Sequence, residues 1–173
     1  MDFFRHRLEQ ILADRGFAKD LIAAVAASSI DHLPAVVKRA QALTTLKAKP
    51  DFDALATAFK RVVNIIRKAR EEGQIIPSEQ PLRIDPSLFQ DDCEEALYQT
   101  LHQVRDRALK DVEAGTYDDA LVAVSTLKPA IDAFFDGVMV LTEDERIKQN
   151  RLILLSEISG LFATFADFSK IST

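Results

Sequence analysis

Thr142-Glu143-Asp144-Glu145-Arg146-Ile147-Lys148-Gln149-Asn150-Arg151-Leu152-Ile153-Leu154-Leu155-Ser156-Glu157-Ile158 decides the fold class of this chain. Apolar residues recur at three- and four-residue steps through Ile147, Leu154, Leu155, Ile158, Leu161, Phe162, Phe165 and Phe168. That spacing puts one greasy stripe on one side of a helix. Thr142 followed by Glu145 reads as a capping box, and the helix behind it is predicted to run to about Lys170. Arg151 falls on or beside the stripe. It is a candidate surface cation and also a candidate buried partner of Asp132 or Asp136, and its position on the stripe favours the structural role.

The same period governs the preceding segments. Asp85-Pro86 is a helix-starting pair, an acceptor side chain followed by proline at the first helical position. The helix predicted from it carries Leu97, Leu101, Val104, Ala108 and Val112 on one face and ends near Gly115. Thr116 and Asp119 read as a second capping box, and Pro129 splits the stretch from Tyr117 to Gly137. Nearer the start, Phe4, Leu8, Ile11 and Leu12 share a face, and Gly16 supplies a stop. Lys19 to Ser29 reads as a short apolar helix, and Asp31 as the cap of the next, which carries Val36, Val37, Ala40 and Leu43. Pro50-Asp51 opens a longer helix with Leu55, Phe59, Val62, Ile66 and Ala69 on its apolar stripe. No segment alternates with a strand period. The expected fold is all-α, in two helical units. Residues 1–72 form the first, 73–84 a linker containing Gly73, Pro77 and Pro81, and 85–173 the second, a helical bundle.

Composition narrows the function classes. The 173 residues hold a single cysteine, so no intramolecular disulfide framework exists. The longest early apolar run, Leu21 to Ile30, is far short of the ~20 residues of a membrane span, and Met1-Asp2-Phe3-Phe4-Arg5-His6 lacks a signal-peptide layout. A cytoplasmic protein without membrane contact is expected. The net charge of −5 is uneven, at +4 over residues 1–84 and −9 over 85–173. Such asymmetry suggests different partners for the two parts.

A search for catalytic chemistry finds no candidate catalytic residue. Asp91-Asp92-Cys93-Glu94-Glu95 is dense in carboxylates, but a magnesium site needs several converging oxygens, and Glu143-Asp144-Glu145 reads as first-turn helix acids. His6, His32 and His102 are scattered over separate helices without ligand spacing, so no metal ligand set is expected. Cys93 among acids is expected to have a raised pKa and weak nucleophilicity. The five glycines are too far apart for a phosphate loop.

Ala58-Phe59-Lys60-Arg61-Val62-Val63-Asn64-Ile65-Ile66-Arg67-Lys68 is the stronger candidate. With Phe59, Val62 and Ile66 turned inward, Lys60, Arg61, Asn64, Arg67 and Lys68 share the outer arc. Cations at that density match successive phosphates, and Asn64 adds a hydrogen-bonding amide. Lys38 and Arg39 extend the candidate surface, and Lys148 and Arg151 are candidates in the second half. Phe134 and Phe135 read as core aromatics. The rival reading, a helical protein–protein interaction module, requires an exposed apolar patch and no basic face.

Taken in order, these segments resemble the β subunit of bacterial tetrameric glycyl-tRNA synthetase. Ala58 to Ile66 is similar to a family helix with the pattern Ala-Asn-Lys-Arg-Val-x-Asn-Ile, and this chain has Phe59 where that pattern has asparagine. Phe4, Leu8, Gly16-Phe17 and Asp20-Leu21-Ile22 with Ala24-Val25 also match. Leu127 to Val140, Asn150-Arg151-Leu152 with Leu154-Leu155, and Asp167 to Ile171 resemble the helical DALR-type anticodon-binding domain shared with arginyl-tRNA synthetases. The resemblance spans essentially the whole chain and implies the C-terminal part of a longer subunit. It implies a non-catalytic piece of an aminoacyl-tRNA synthetase that binds glycine tRNA, with the α subunit as partner in an α/β heterotetramer. ATP and magnesium are then expected only at the catalytic site of the parent complex, with no cofactor in this segment and no DNA partner.

The acidity of the second half conflicts with RNA binding, which leans on phosphate neutralisation. Two arrangements reconcile them. Lys148, Arg151, Lys170, Arg105, Arg107 and Lys110 gather on one face, or the first half supplies the electrostatic grip and the second reads unstacked bases.

Overall fold

The computed structural model describes residues 2–28, 32–74 and 83–172. Among the described residues eight α-helices follow one another: α1 Asp2–Asp14, α2 Lys19–Ala26, α3 Leu33–Lys47, α4 Phe52–Glu71, α5 Asp92–Glu113, α6 Tyr117–Ser125, α7 Lys128–Gly137 and α8 Glu145–Ala163. Short 3-10 turns cover Pro86–Leu88 and Phe168–Lys170. The described residues contain no strand, and the all-α expectation holds. Most of the predicted linker, with Pro77 and Pro81, lies outside the described residues, as does Asp31.

Helix ends follow local chemistry. Gly73 and Gly115 adopt φ of 66° and 75°, the left-handed conformation that terminates helices without Cβ strain. After α4 the Gln74 amide donates to Ala69 (2.8 Å) and the Gly73 amide to Arg70 (3.1 Å). After α5 the corresponding bonds run from Thr116 to Asp111 and from Gly115 to Val112. These paired bonds satisfy carbonyls that the helix leaves open.

Several predicted starts move. The Asp85-Pro86 pair opens only the 3-10 turn, with Asp85 accepting from the Ser87 amide. The long helix starts at Asp92, behind a true capping box of Asp91 and Glu94. Thr116 makes no side-chain cap, because its hydroxyl donates back to the Asp111 carbonyl. The cap of α8 is Asp144 rather than Thr142, its carboxylate accepting from the Arg146 and Ile147 amides. α8 ends at Ala163, seven residues before Lys170, and the chain then turns through Phe168–Lys170. α2 likewise ends at Ala26, short of Ser29.

One apolar core runs through the described residues from α1 to the last turn. Its centre is a triad of buried rings. Phe59 of α4 stacks on Phe162 of α8 at 4.0 Å between centroids and meets Phe168 edge-on at 5.1 Å. The C-terminal turn is also gripped by the first half. The Asp167 amide donates to Ala24, and the Ser172 amide to the Asp20 carboxylate that also takes Lys47. Stacked aromatics of this kind add about 0.5–1.5 kcal/mol beyond their area. The rings seat α4 against α8, and the other side of α4 faces outward.

Candidate nucleic-acid interface

α4 is strongly amphipathic, with Phe59, Val62, Ile66 and Ala69 buried. The three- and four-residue steps of that stripe leave Arg61, Asn64, Arg67 and Lys68 exposed and Lys60 half-buried. The five α4 candidates thus share one helix. Arg67 donates to the Asn64 side-chain oxygen at 3.1 Å, which orients both groups on the outer surface. Lys68 meets Glu72 at 3.7 Å, an exposed pair that solvent largely screens. The Arg61 guanidinium lies 4.0 Å above the Phe135 ring of α7. This cation–π contact holds the charge at the α4/α7 seam while the group stays exposed. Arg70, one turn beyond Ile66, donates to the Ser156 hydroxyl of α8 at 3.2 Å.

The other candidates are placed elsewhere. Lys38 is exposed on α3, its ammonium reaching the Gly115 carbonyl at 3.5 Å. Arg39 does not extend that surface. It is buried between α2 and the end of α8, donating to the Ser28 hydroxyl and the Thr164 carbonyl. Its neighbours Val36, Ala40 and Leu43 are buried too, so the helical stripe carries Arg39 inward with them. Lys148 is engaged by Glu145 at 2.5 Å.

Arg151 is buried, and its partner is neither Asp132, which pairs with Lys128, nor Asp136. Its Nε and Nη2 donate to the two carboxylate oxygens of Glu94 at 2.8 and 3.1 Å, and Nη1 donates to the Met139 carbonyl at 2.9 Å. Glu94 also accepts from the Gln90 and Asp91 amides. The ion pair thereby ties α8, the α7–α8 connection and the start of α5 at one point. Burial alone raises the Glu94 pKa, but Arg151 and the two amides outweigh it and hold the carboxyl below its usual range. Glu94 was concealed in the sequence because its acidic neighbours resemble a solvated helix start. The available signal was a glutamate at the third helical position together with an arginine on a distant apolar stripe.

Several cations of the second half are engaged by acids. Arg105 pairs with Glu157, Arg107 approaches Asp111 and Lys128 holds Asp132. Among the described residues, no group of three or more His, Cys, Asp or Glu could hold a metal ion. No described helix is long and apolar enough to cross a membrane. Cys93 has a raised pKa, from burial first and then from Asp91 and Glu94.

A family model described as the DALR anticodon binding domain matches residues 55–173, a span that opens inside α4 and includes its cationic face. The sequence is also similar to proteins named glycine–tRNA ligase beta subunit. It is 44% identical over 172 residues to that of Desulfatibacillum aliphaticivorans, covering 99% of this chain and 24% of the relative. With that of Geobacter sp. strain M21 it shares 42% over 172 residues, covering 99% and 23%. With that of Syntrophus aciditrophicus strain SB it shares 39% over 173 residues, covering 100% and 24%. The chain therefore spans about a quarter of the length of the curated relatives it matches.

Proposed function

We propose a function from one premise: the chain belongs to the DALR anticodon binding domain family. It is the tRNA-binding, anticodon-recognising part of a cytoplasmic glycine–tRNA ligase β subunit. It holds glycine tRNA while ATP-dependent glycylation proceeds with the α subunit. ATP and magnesium belong to that catalytic site, and this segment contributes position rather than chemistry.

The observation that carries the reading is the exposed cationic face of α4, inside the family-matched span. Arg61, Arg67 and Lys68 are exposed on one helix with Asn64 among them and Lys60 at the edge. The interaction-module alternative, which dispenses with a basic face, leaves this surface without a role. Three to four phosphates neutralised here correspond to a log–log salt slope of about −2 to −4, at roughly 0.7–0.9 per phosphate. Affinity then falls roughly 20- to 150-fold between about 50 and 200 mM salt. Fluorescence anisotropy of labelled glycine tRNA against the chain, over that salt range and beside a non-cognate tRNA, measures the slope. A folded chain that binds neither tRNA at the lowest salt overturns the proposal. Equal binding of both tRNAs moves discrimination to other parts of the synthetase.

A further inference from the structure

A cleft of about 530 Å³ opens where α8 begins, between the Arg83–Leu88 segment and the Glu145–Ile153 part of the helix. That volume falls within the range of small-molecule sites, about 300–1,000 Å³. Half-buried Leu88 and Ile153 supply its apolar lining, and Arg83 and Arg146 are exposed in its walls. The two acids present, Asp85 and Glu145, already have partners. Asp85 accepts from the Ser87 amide and hydroxyl, and Glu145 takes Lys148. Among the described residues neither arginine has an acid within salt-bridge distance, and, behind the Ser87 bonds, Arg146 stands close enough to Asp85 to help hold that carboxyl below its usual range.

The walls are pinned by amides. Buried Asn150 clasps Asp85 from both sides, its Oδ1 accepting from the Asp85 amide at 2.7 Å and its Nδ2 donating to the Asp85 carbonyl at 3.0 Å. Gln149, which also lines the cleft, commits its Nε2 to the Gln74 carbonyl, and its Oε1 is the acceptor end of that side chain. Gln74 directly follows α4, and Arg70 of α4 reaches Ser156 on the next turns of α8. The cleft thus lies near the C-terminal end of α4, the helix that carries the cationic face.

We propose that this cleft seats one unstacked nucleotide of the bound RNA. The base lies against Leu88 and Ile153 with its edge toward the Gln149 oxygen, and the flanking phosphates meet Arg83 and Arg146. Single-stranded RNA presents splayed bases to pockets of this kind, and guanidinium groups suit phosphates better than other cations. The inference rests on the tRNA-binding reading and gives the acidic half a place on the RNA that its net charge obscures.

The test compares the wild-type chain with Arg83→Ala/Arg146→Ala and Arg83→Lys/Arg146→Lys variants, each checked for helix content and melting. The alanine pair is expected to flatten the glycine-tRNA salt slope by about 1.4–1.8, at 0.7–0.9 per phosphate, and to weaken binding at low salt at least tenfold. The lysine pair keeps the slope. A 5′-phosphorylated pentauridylate, titrated in methyl NMR, is expected to shift the Leu88 and Ile153 methyl resonances of the wild type but not of the alanine pair. If tRNA fails to bind but pentauridylate moves those methyls, the cleft stands and the tRNA reading falls. If tRNA binds and the alanine pair keeps the wild-type slope, or the methyls do not move, the cleft proposal falls and the tRNA reading stands.

Discussion

Arg151→Met removes one half of a buried ion pair whose side chains are 5% and 1% exposed for Arg151 and Glu94. Methionine fills much of the arginine volume but cannot donate, so the loss is electrostatic rather than a cavity. Glu94 keeps the Gln90 and Asp91 amides and loses both guanidinium bonds, and the Met139 carbonyl loses its donor. Leaving one charge of such a pair buried costs about 3–5 kcal/mol. For a chain of this size, about 2–4 °C per kcal/mol gives a drop in melting temperature of roughly 6–20 °C. The pH dependence sharpens the test. In the wild type the Glu94 pKa is depressed below 4.5, so its stabilisation is full above the unfolded value. It is lost as pH falls through the folded one. In the variant, only the two amides still oppose burial, so the folded pKa rises from its wild-type position and acidification protonates Glu94 more readily while the protein is still folded. The stability gap between the two proteins must therefore narrow as pH falls from 7 towards 4. Urea denaturation followed by circular dichroism across that range measures it. A gap below about 1 kcal/mol at pH 7, or one that does not change with pH, refutes the reasoning, since surface pairs cost that little.

Three further outcomes are expected. Phe59→Ala empties the centre of the ring triad and costs about 3–5 kcal/mol, lowering a single unfolding transition followed by both circular dichroism and fluorescent labels on each half; two separate transitions would contradict the shared core. A Cβ at Gly137 would meet the Cys93 Sγ at 2.8 Å, so Gly137→Ala destabilises by about 1–3 kcal/mol, and adding Cys93→Ala restores most of the loss in the same melt. Arg67→Ala with Lys68→Ala leaves the melting temperature within a degree or two but flattens the tRNA salt slope by about 1.4–1.8; an unchanged slope would remove α4 from the interface.

Helix existence was legible because each stripe repeats at the helical period, and α4 illustrates why its outer face was legible too. Once Phe59, Val62 and Ile66 are inside, geometry forces Arg61, Asn64, Arg67 and Lys68 out. Helix starts were less legible because competing acceptors stand within three residues of one another. Asp144 displaces Thr142 because one carboxylate oxygen accepts two amides at once. Thr116 has a carbonyl of the preceding helix within reach and closes that helix instead. Arg39 and Arg151 looked alike in the sequence, as cations beside apolar neighbours. Their burial depends on what packs over them, Ser28 and Thr164 for one and Glu94 for the other, up to 125 residues away. The cleft at Arg83 and Arg146 joins segments more than 60 residues apart, and no local spacing announces it.

The central claim is that this segment grips the anticodon arm of a tRNA, and hydroxyl-radical footprinting of end-labelled glycine tRNA bound to the chain at low salt tests it most directly. The account predicts protection confined to the anticodon stem and loop, reduced by alanine at Arg67 and Lys68. Protection centred on the acceptor stem, or a tRNA cleaved identically with and without the folded chain, would contradict it.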